Sequence, residues 1–437
     1  MRSMMCRSVL VAGLLVMASS TFGQDMGPAR KGSATPWTPA AAFPSSGGTT
    51  RSGPPISLVP VPFNPAGQFG SAVALDGTTA VVGAPSGGFR NDDRAHVFVL
   101  GAQGWGQQAL LLQPQPNPID ASRGTGRRVA LDGDVAVVSA HGFGMRAECS
   151  FEDVVLFFRR TGSSWTEEGR FRKSPCDETF GSALALSGNT ALVATVGWFD
   201  PFGRVDVYDR GAGGWSRSGS LDDPVFASQT YFGFSIAIDG DTALVGAPYD
   251  RFGGPLTGAV HVYQRTGSTW THVDKWTASD ASTLAQFGST VAISGNLALV
   301  GAPGDSEHGR NSGAAYVFER VGSTWMEKEK IVPSDAAPSR FFASALDLDG
   351  NRAVISAANM FLGAFDSVYA FERTGGKFGN ETKLTQPGAG FFGAAVSVSG
   401  DRALVGAPGG SGSPGAALLF DLSATGGAAR GMRGKVR

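Results

Sequence analysis

The chain is predicted to be all-β: a seven-bladed β-propeller of four-stranded antiparallel blades, with the ring closed by an N-terminal strand that completes the last blade. Three observations predict it. An aromatic residue recurs about every 50 to 60 residues in near-identical surroundings, as Phe98, Phe158, Tyr208, Tyr263, Phe318, Phe371 and Phe420. Six of these are followed seven residues later by another aromatic, Trp105, Trp165, Trp215, Trp270, Trp325 and Phe378. Upstream of each lies an Asp-Gly or Ser-Gly pair, from Asp76-Gly77 to Ser399-Gly400, between short apolar runs. A fixed period of this length marks one supersecondary unit copied along the chain. Short strands joined by tight turns, with no helical periodicity, make that unit a propeller blade.

Met1 to about Gly23 carries Arg2 and Arg7, an apolar stretch from Val9 to Met17 and small residues from Ala18 onward, the pattern of a secretory signal peptide. Spanning a bilayer needs about 20 apolar residues, so this stretch is too short for a membrane anchor, and no transmembrane segment is expected elsewhere. Residues 24–53 are Gly-, Ser- and Pro-rich with scattered apolar groups and read as a flexible linker. Pro55-Ile56-Ser57-Leu58-Val59-Pro60 precedes Phe69-Gly70 as Lys330-Ile331-Val332-Pro333 precedes Phe342, which makes it an orphan fourth strand.

The fourth copy shows the unit. Phe232 to Ile238 alternates small and apolar residues, Asp239-Gly240 is a tight turn, and Thr242 to Gly246 is a short apolar run. Ala259 to Gln264 follows after a loop, then a turn at 265–269 and a fourth strand from Trp270 to about Thr277. Gly supplies the positive φ that a type I′ hairpin needs, which accounts for part of the 63 glycines in 437 residues. The seventh copy stops after Phe420 without its outer strand, so residues 54–422 form the propeller. The tail, 423–437, holds Arg430, Arg433, Lys435 and Arg437 without an acid and reads as a basic disordered end.

Phe69-Gly70 with Gly83-Ala84-Pro85, and the same pairing at Phe232 and Gly246, Phe287 and Gly301, and Phe392 and Gly406, resembles the FG-GAP repeat of integrin α-chain propellers and bacterial secreted proteins. Copies two, three and six depart from it, with Thr125-Gly126, Ala194-Thr195-Val196 and Phe342-Ala343. The resemblance implies cell-surface or extracellular interaction. Integrin-type repeats also carry calcium on alternating Asp residues in the first hairpin of a blade, because a hard cation takes six to eight oxygen ligands. Here that hairpin is reduced to Asp132-Gly133-Asp134 or Asp239-Gly240-Asp241, which cannot surround an ion, so no metal or other cofactor is assigned.

No nucleophile elbow, phosphate loop or metal-ligand spacing of the five histidines is present in the sequence. A net charge of −1 gives no basis for nucleic-acid binding. The loops after the second strand differ most between copies, and loops on a rigid scaffold are where function concentrates. Arg90, Asp92, Trp198, Asp200, Asp250, Arg251, Asp305 and Glu307 are therefore the candidate binding residues. The expectation is a monomeric, non-enzymatic binding or adhesion propeller, secreted or periplasmic, taking a protein or polysaccharide. A polysaccharide hydrolase or lyase with carboxylates at the channel mouth and a structural module of an envelope assembly are the alternatives. Cys149 and Cys176, the only cysteines after the signal, are expected to form a disulfide. Pairing Arg160 with Trp165 across the hairpin of copy two would place them opposite one another.

Overall fold

A computed structural model of the chain describes residues 55–61, 67–85, 93–112, 124–140, 153–173, 179–196, 202–224, 229–251, 256–357, 367–409 and 415–423. Every regular element among them is a strand, and the strands form seven four-stranded antiparallel sheets. In blade 4, Ser235–Asp239, Thr242–Ala247, Ala259–Thr266 and Thr269–Trp276 lie side by side in chain order. The first strand starts three residues later than its alternation suggests. Phe232 is fully buried and packs edge-on against His261, and Gly233 turns the chain at φ 87° before pairing begins. At the matching Gly70 a Cβ would lie 2.1 Å from the Ala416 carbonyl oxygen. The glycine of the Phe-Gly pair is thus required twice, by conformation and by close approach.

The first strand of each blade lies against the first strands of both neighbours, so these seven strands surround the axis. Ring closure follows the predicted route. Ile56–Leu58 pairs antiparallel with Ala416–Asp421, Ile56 opposite Leu419 and Leu58 opposite Ala417, and completes the seventh sheet. The edge of Ala416–Asp421 is thereby covered, and Ile56–Leu58 becomes the outer edge of that blade.

The two faces of the disc differ. Connections between first and second strands, and between third and fourth, are two-residue turns such as 77–78, 240–241 and 267–268. The opposite face carries the loops between second and third strands, which range from eight residues (196–203) to twelve (141–152).

Apolar packing sits between blades. Each of the seven seams holds one buried cluster drawn from two neighbouring sheets. At the seam of blades 4 and 5, Trp276 stacks on Phe318 with ring centroids 4.3 Å apart and planes within 4°. All seven aromatics of the recurring column are buried, so their period marks the core and not a ligand platform. Leu58 belongs to the cluster between blades 7 and 1, which ties the closing strand into packing as well as pairing.

The Asp-Gly and Ser-Gly turns also join the blades. The side chain at the first position accepts a hydrogen bond from the glycine N–H of the next blade's turn. Asp76 accepts from Gly133, Asp132 from Gly188, Ser187 from Gly240, Asp239 from Gly295, Ser294 from Gly350, Asp349 from Gly400 and Ser399 from Gly77, at 2.5 to 3.1 Å. The circle is complete, one clasp per seam.

Candidate functional site: the loop face and the channel

The loop face is built where second strands end. After Gly246-Ala247-Pro248 and Gly301-Ala302-Pro303 the chain turns back at Asp250 and Asp305, whose N–H groups bond the carbonyls of Ala247 and Ala302. Both carboxylates are buried, 5% and 2% exposed, although the sequence placed them on an open loop. Each meets a lysine of its own blade's fourth strand: Lys275 Nζ lies 2.8 Å from Asp250 and Lys330 Nζ lies 3.0 Å from Asp305. Burying a carboxylate is tolerable only when it is paired and hydrogen-bonded.

In blade 5 this pairing grows into a network. Lys330 Nζ also reaches Asp280 at 2.6 Å and Glu307 at 2.8 Å, and the Tyr316 hydroxyl donates to Asp280 at 2.7 Å. Burial pushes the Lys330 pKa down, but the bonds to Asp280, Glu307 and Asp305 outweigh it and the net shift is upward. Burial likewise raises Asp280, and donation from Lys330 and Tyr316 brings it below the usual range. Glu307 is held low by the Lys330 hydrogen bond. One ammonium thus serves three carboxylates. In blade 3 the ratio is inverted, since the fully buried Asp206 takes Lys173, Arg204 and Arg217 at 2.6 to 2.8 Å.

Histidines in the same column are internal. His261 is fully buried, lies 3.2 Å from His272 through Nδ1, and has its pKa lowered to about 4 by burial. His96 bonds Gln107 and is lowered to about 4 for the same reason. Both are neutral packing elements at physiological pH.

Of the expected binding residues, Glu307 and Arg251 are exposed, and Glu307 is spoken for by Lys330. Asp250 and Asp305 are scaffold. Arg90, Asp92, Trp198 and Asp200 lie outside the described residues. The structure brings Asp305 and Glu307 together on one lysine and does not join them to Asp250 or Arg251. The carboxylates of the shortened hairpins are engaged: Asp132 and Asp239 clasp the next blade, Asp134 pairs with Arg160 at 2.6 Å and Asp241 with Arg265 at 2.8 Å.

The hairpin of blade 2 pairs Arg160 with Trp165 as expected. A bulge then shifts the register between Phe157 and Phe158, so that Phe158 faces Glu167 while Phe157 faces Gly169. Direct opposition of Cys149 and Cys176 does not carry through that bulge. Both cysteines lie outside the described residues.

Ala74, Ala130, Ala185, Ala237 and Ala292 occupy one position of successive first strands, Ala130 and Ala292 within the seam clusters, and Asp347 and Ser397 fill the remaining two. At the loop-face end, two side chains that no motif marks stand out by position alone. Arg127 and Arg128 immediately precede the first strand of blade 2, Val129–Asp132, where other blades have uncharged pairs such as Ser71-Ala72, Phe234-Ser235 or Ala394-Ala395.

The FG-GAP repeat family matches in four places, residues 63–100, 215–263, 270–318 and 325–371. Three of these matches begin in a fourth strand and end in the third strand of the next blade. The family's unit therefore straddles a seam, the same phase that leaves Ile56–Leu58 as the opening strand. No curated protein sequence matches the chain. Among solved structures, a putative 6-phosphogluconolactonase from Bacteroides uniformis is similar at 12% identity and TM-score 0.51, over 76% of this chain and 89% of that one. A prolyl endopeptidase is similar at 16% identity and TM-score 0.47, and the chain spans 47% of its length while 81% of this chain is covered. The β-propeller domain of the Trilobed protease from Pyrococcus furiosus is similar at 8% identity and TM-score 0.45, over 80% and 92% of the two chains. At such identities the likeness concerns fold alone. Matched repeats and seven clasped four-stranded blades together make this chain an FG-GAP repeat β-propeller.

Proposed function

We propose that the protein is an extracytoplasmic, non-enzymatic binding propeller that holds a protein or polysaccharide on its loop face. One observation carries the reading: every connection on one face is a two-residue turn, while on the other the loops between second and third strands vary from eight to twelve residues. A uniform ring beneath unequal loops is the division of labour of a binding scaffold, where rigid strands present adaptable segments. The internal ion pairs of Asp206, Asp250 and Asp305 support it, because they fix the loop bases and leave the outer loop residues to meet a ligand. The signal-like segment at Met1–Gly23 supports export.

The test is quantitative binding of the mature protein to immobilised polysaccharides and envelope proteins, with two loop variants. Replacing 306–311 by a short Gly-Ser link, with Asp305 and Ser312 kept, should reduce affinity for the partner at least tenfold. A change in the 267–268 turn of the opposite face should leave it unchanged. Equal loss in both variants, or new reducing ends released from a bound polysaccharide, would overturn the reading, the second outcome in favour of a hydrolase or lyase.

A further inference from the structure

We propose that Arg127 and Arg128 form an oxyanion site at the loop-face mouth of the central channel, taking a carboxylate or phosphate group. The site is independent of the macromolecule that the outer loops bind. Its residues immediately precede the first strand of blade 2, Val129–Asp132, one of the seven strands around the axis, on the side away from the Asp132-Gly133 turn. Arg128 donates from Nε to the Ser182 carbonyl at 2.8 Å and from Nη1 to the Arg127 carbonyl at 3.3 Å. Neither acceptor carries a charge, and its Nη2 makes no hydrogen bond among the described residues. Arg127 makes no side-chain hydrogen bond or ion pair among them at all.

Electrostatics at the mouth are unbalanced. Asp153 is the carboxylate whose field reaches Arg127, and one of its oxygens accepts from the Phe180 N–H at 3.0 Å. Two guanidiniums against one carboxylate leave a positive excess. Arg128 is exposed, yet protein surrounds it closely enough that burial, and then Arg127's charge, lower its pKa to about 10. Other carboxylates of the loop face, Asp206, Asp280 and Asp305, are committed to their own cations.

In the neighbouring blade the matching position holds Ser71. The hydroxyl oxygen of Ser71 is shielded from solvent and has no hydrogen-bond partner among the described residues. The matching positions elsewhere are uncharged, Ser182-Ala183, Phe234-Ser235, Ser289-Thr290 and Ser344-Ala345 among them, so only blade 2 brings cations into this layer. A guanidinium presents several N–H groups in a planar fork that matches an oxyanion in geometry and charge. Two such forks partly removed from water suit one anionic group.

Titration calorimetry with inorganic phosphate and with acetate, at ionic strength fixed by chloride, tests the site and tells which oxyanion it prefers. Saturable one-to-one binding of at least one of them is expected. Arg127→Gln should weaken it at least tenfold, and this variant has no hydrogen bond to lose, so its fold should be intact. Arg128→Lys, which keeps the charge and loses the fork, should weaken it severalfold. Heats that never saturate with either anion, or an affinity that Arg127→Gln leaves unchanged, would overturn the proposal.

Discussion

Asp347 is the one carboxylate at a first-strand position that five other blades fill with alanine. Its side chain accepts from the N–H groups of Leu348 and Val398 at 2.9 and 2.8 Å and from the Ser397 hydroxyl at 3.0 Å. Burial nonetheless pushes its pKa up to about 6, since desolvation disfavours the charged form more than three hydrogen bonds favour it. A raised carboxylate pKa means that the folded state binds the proton more tightly. The associated stability is present in full below the ordinary carboxylate range and is lost as pH rises through about 6. Stability of the wild type relative to Asp347→Asn should therefore fall between pH 4 and pH 7 in urea titrations, and parallel curves would contradict it. The lysine partners of Asp250 and Asp305 show what a closer reading of the residues can recover. Both pairs are separated by 25 residues, Asp250 with Lys275 and Asp305 with Lys330. An opposite charge repeated at one spacing in two copies is a legible sign of a pair. The acids read instead as loop residues because both lie in the variable segments after second strands. Asp347 left no comparable sign, because only its column among the alanines distinguishes it.

At the scale of elements, strands and turns were legible because alternation, Gly pairs and the copy period agree with one another. The orphan strand was equally legible, since Ile56–Leu58 has a counterpart before every other blade. Removing residues 24–62 should strip the fourth strand from blade 7 and Leu58 from its seam, lowering the melting temperature and solubility together. Removing only 24–50 should change neither, and equal behaviour of the two truncations would refute the closing role. What sequence did not disclose was the bulge in every hairpin of third and fourth strands, at Val97/Phe98, Phe157/Phe158, Val207/Tyr208, Val262/Tyr263, Val317/Phe318 and Ala370/Glu372. Apolar patterning is too loose on exposed outer strands to reveal one extra residue. The bulged side chains can reach across seams. Glu168 takes Arg210 of blade 3 through two bonds of 2.8 and 2.9 Å, and Gln108 accepts from Trp165 of blade 2 at 3.0 Å. A Cys149–Cys176 bridge, if formed across this shifted register, would show no free thiols on titration of the unfolded, unreduced mature protein. Two free thiols would exclude it.

The whole molecule is held by seams, since its apolar clusters lie between blades, and each clasp runs from one turn to the next in the same rotational sense. Seven copies were readable from the period, and ring closure from the missing outer strand of the last copy and the orphan strand before the first. The clasps were not, because each partner belongs to the following copy and no spacing within one copy reveals it. Asp239→Ala removes one clasp and should reduce the unfolding free energy by about 1 kcal/mol, the usual net value of such a bond. An unchanged denaturation midpoint would show that the turn alone mattered. Since Asp132, Asp134, Asp239 and Asp241 are already engaged, calcium should add little to thermal stability, and a large EDTA-reversible rise would contradict that assignment. One consequence of the closing strand is mechanical. Ile56 faces Leu419 and Leu58 faces Ala417, so the chain enters that pair from the end at which it leaves through Asp421, beside the Gly400-Asp401 turn. Tension between the two flanking segments would therefore load the pairing one bond at a time, opening it like a zipper, while the same force spread over a sheared strand would load all its bonds at once. Under pull the ring yields first at the one blade that two distant stretches of chain share, and the other six stay sealed.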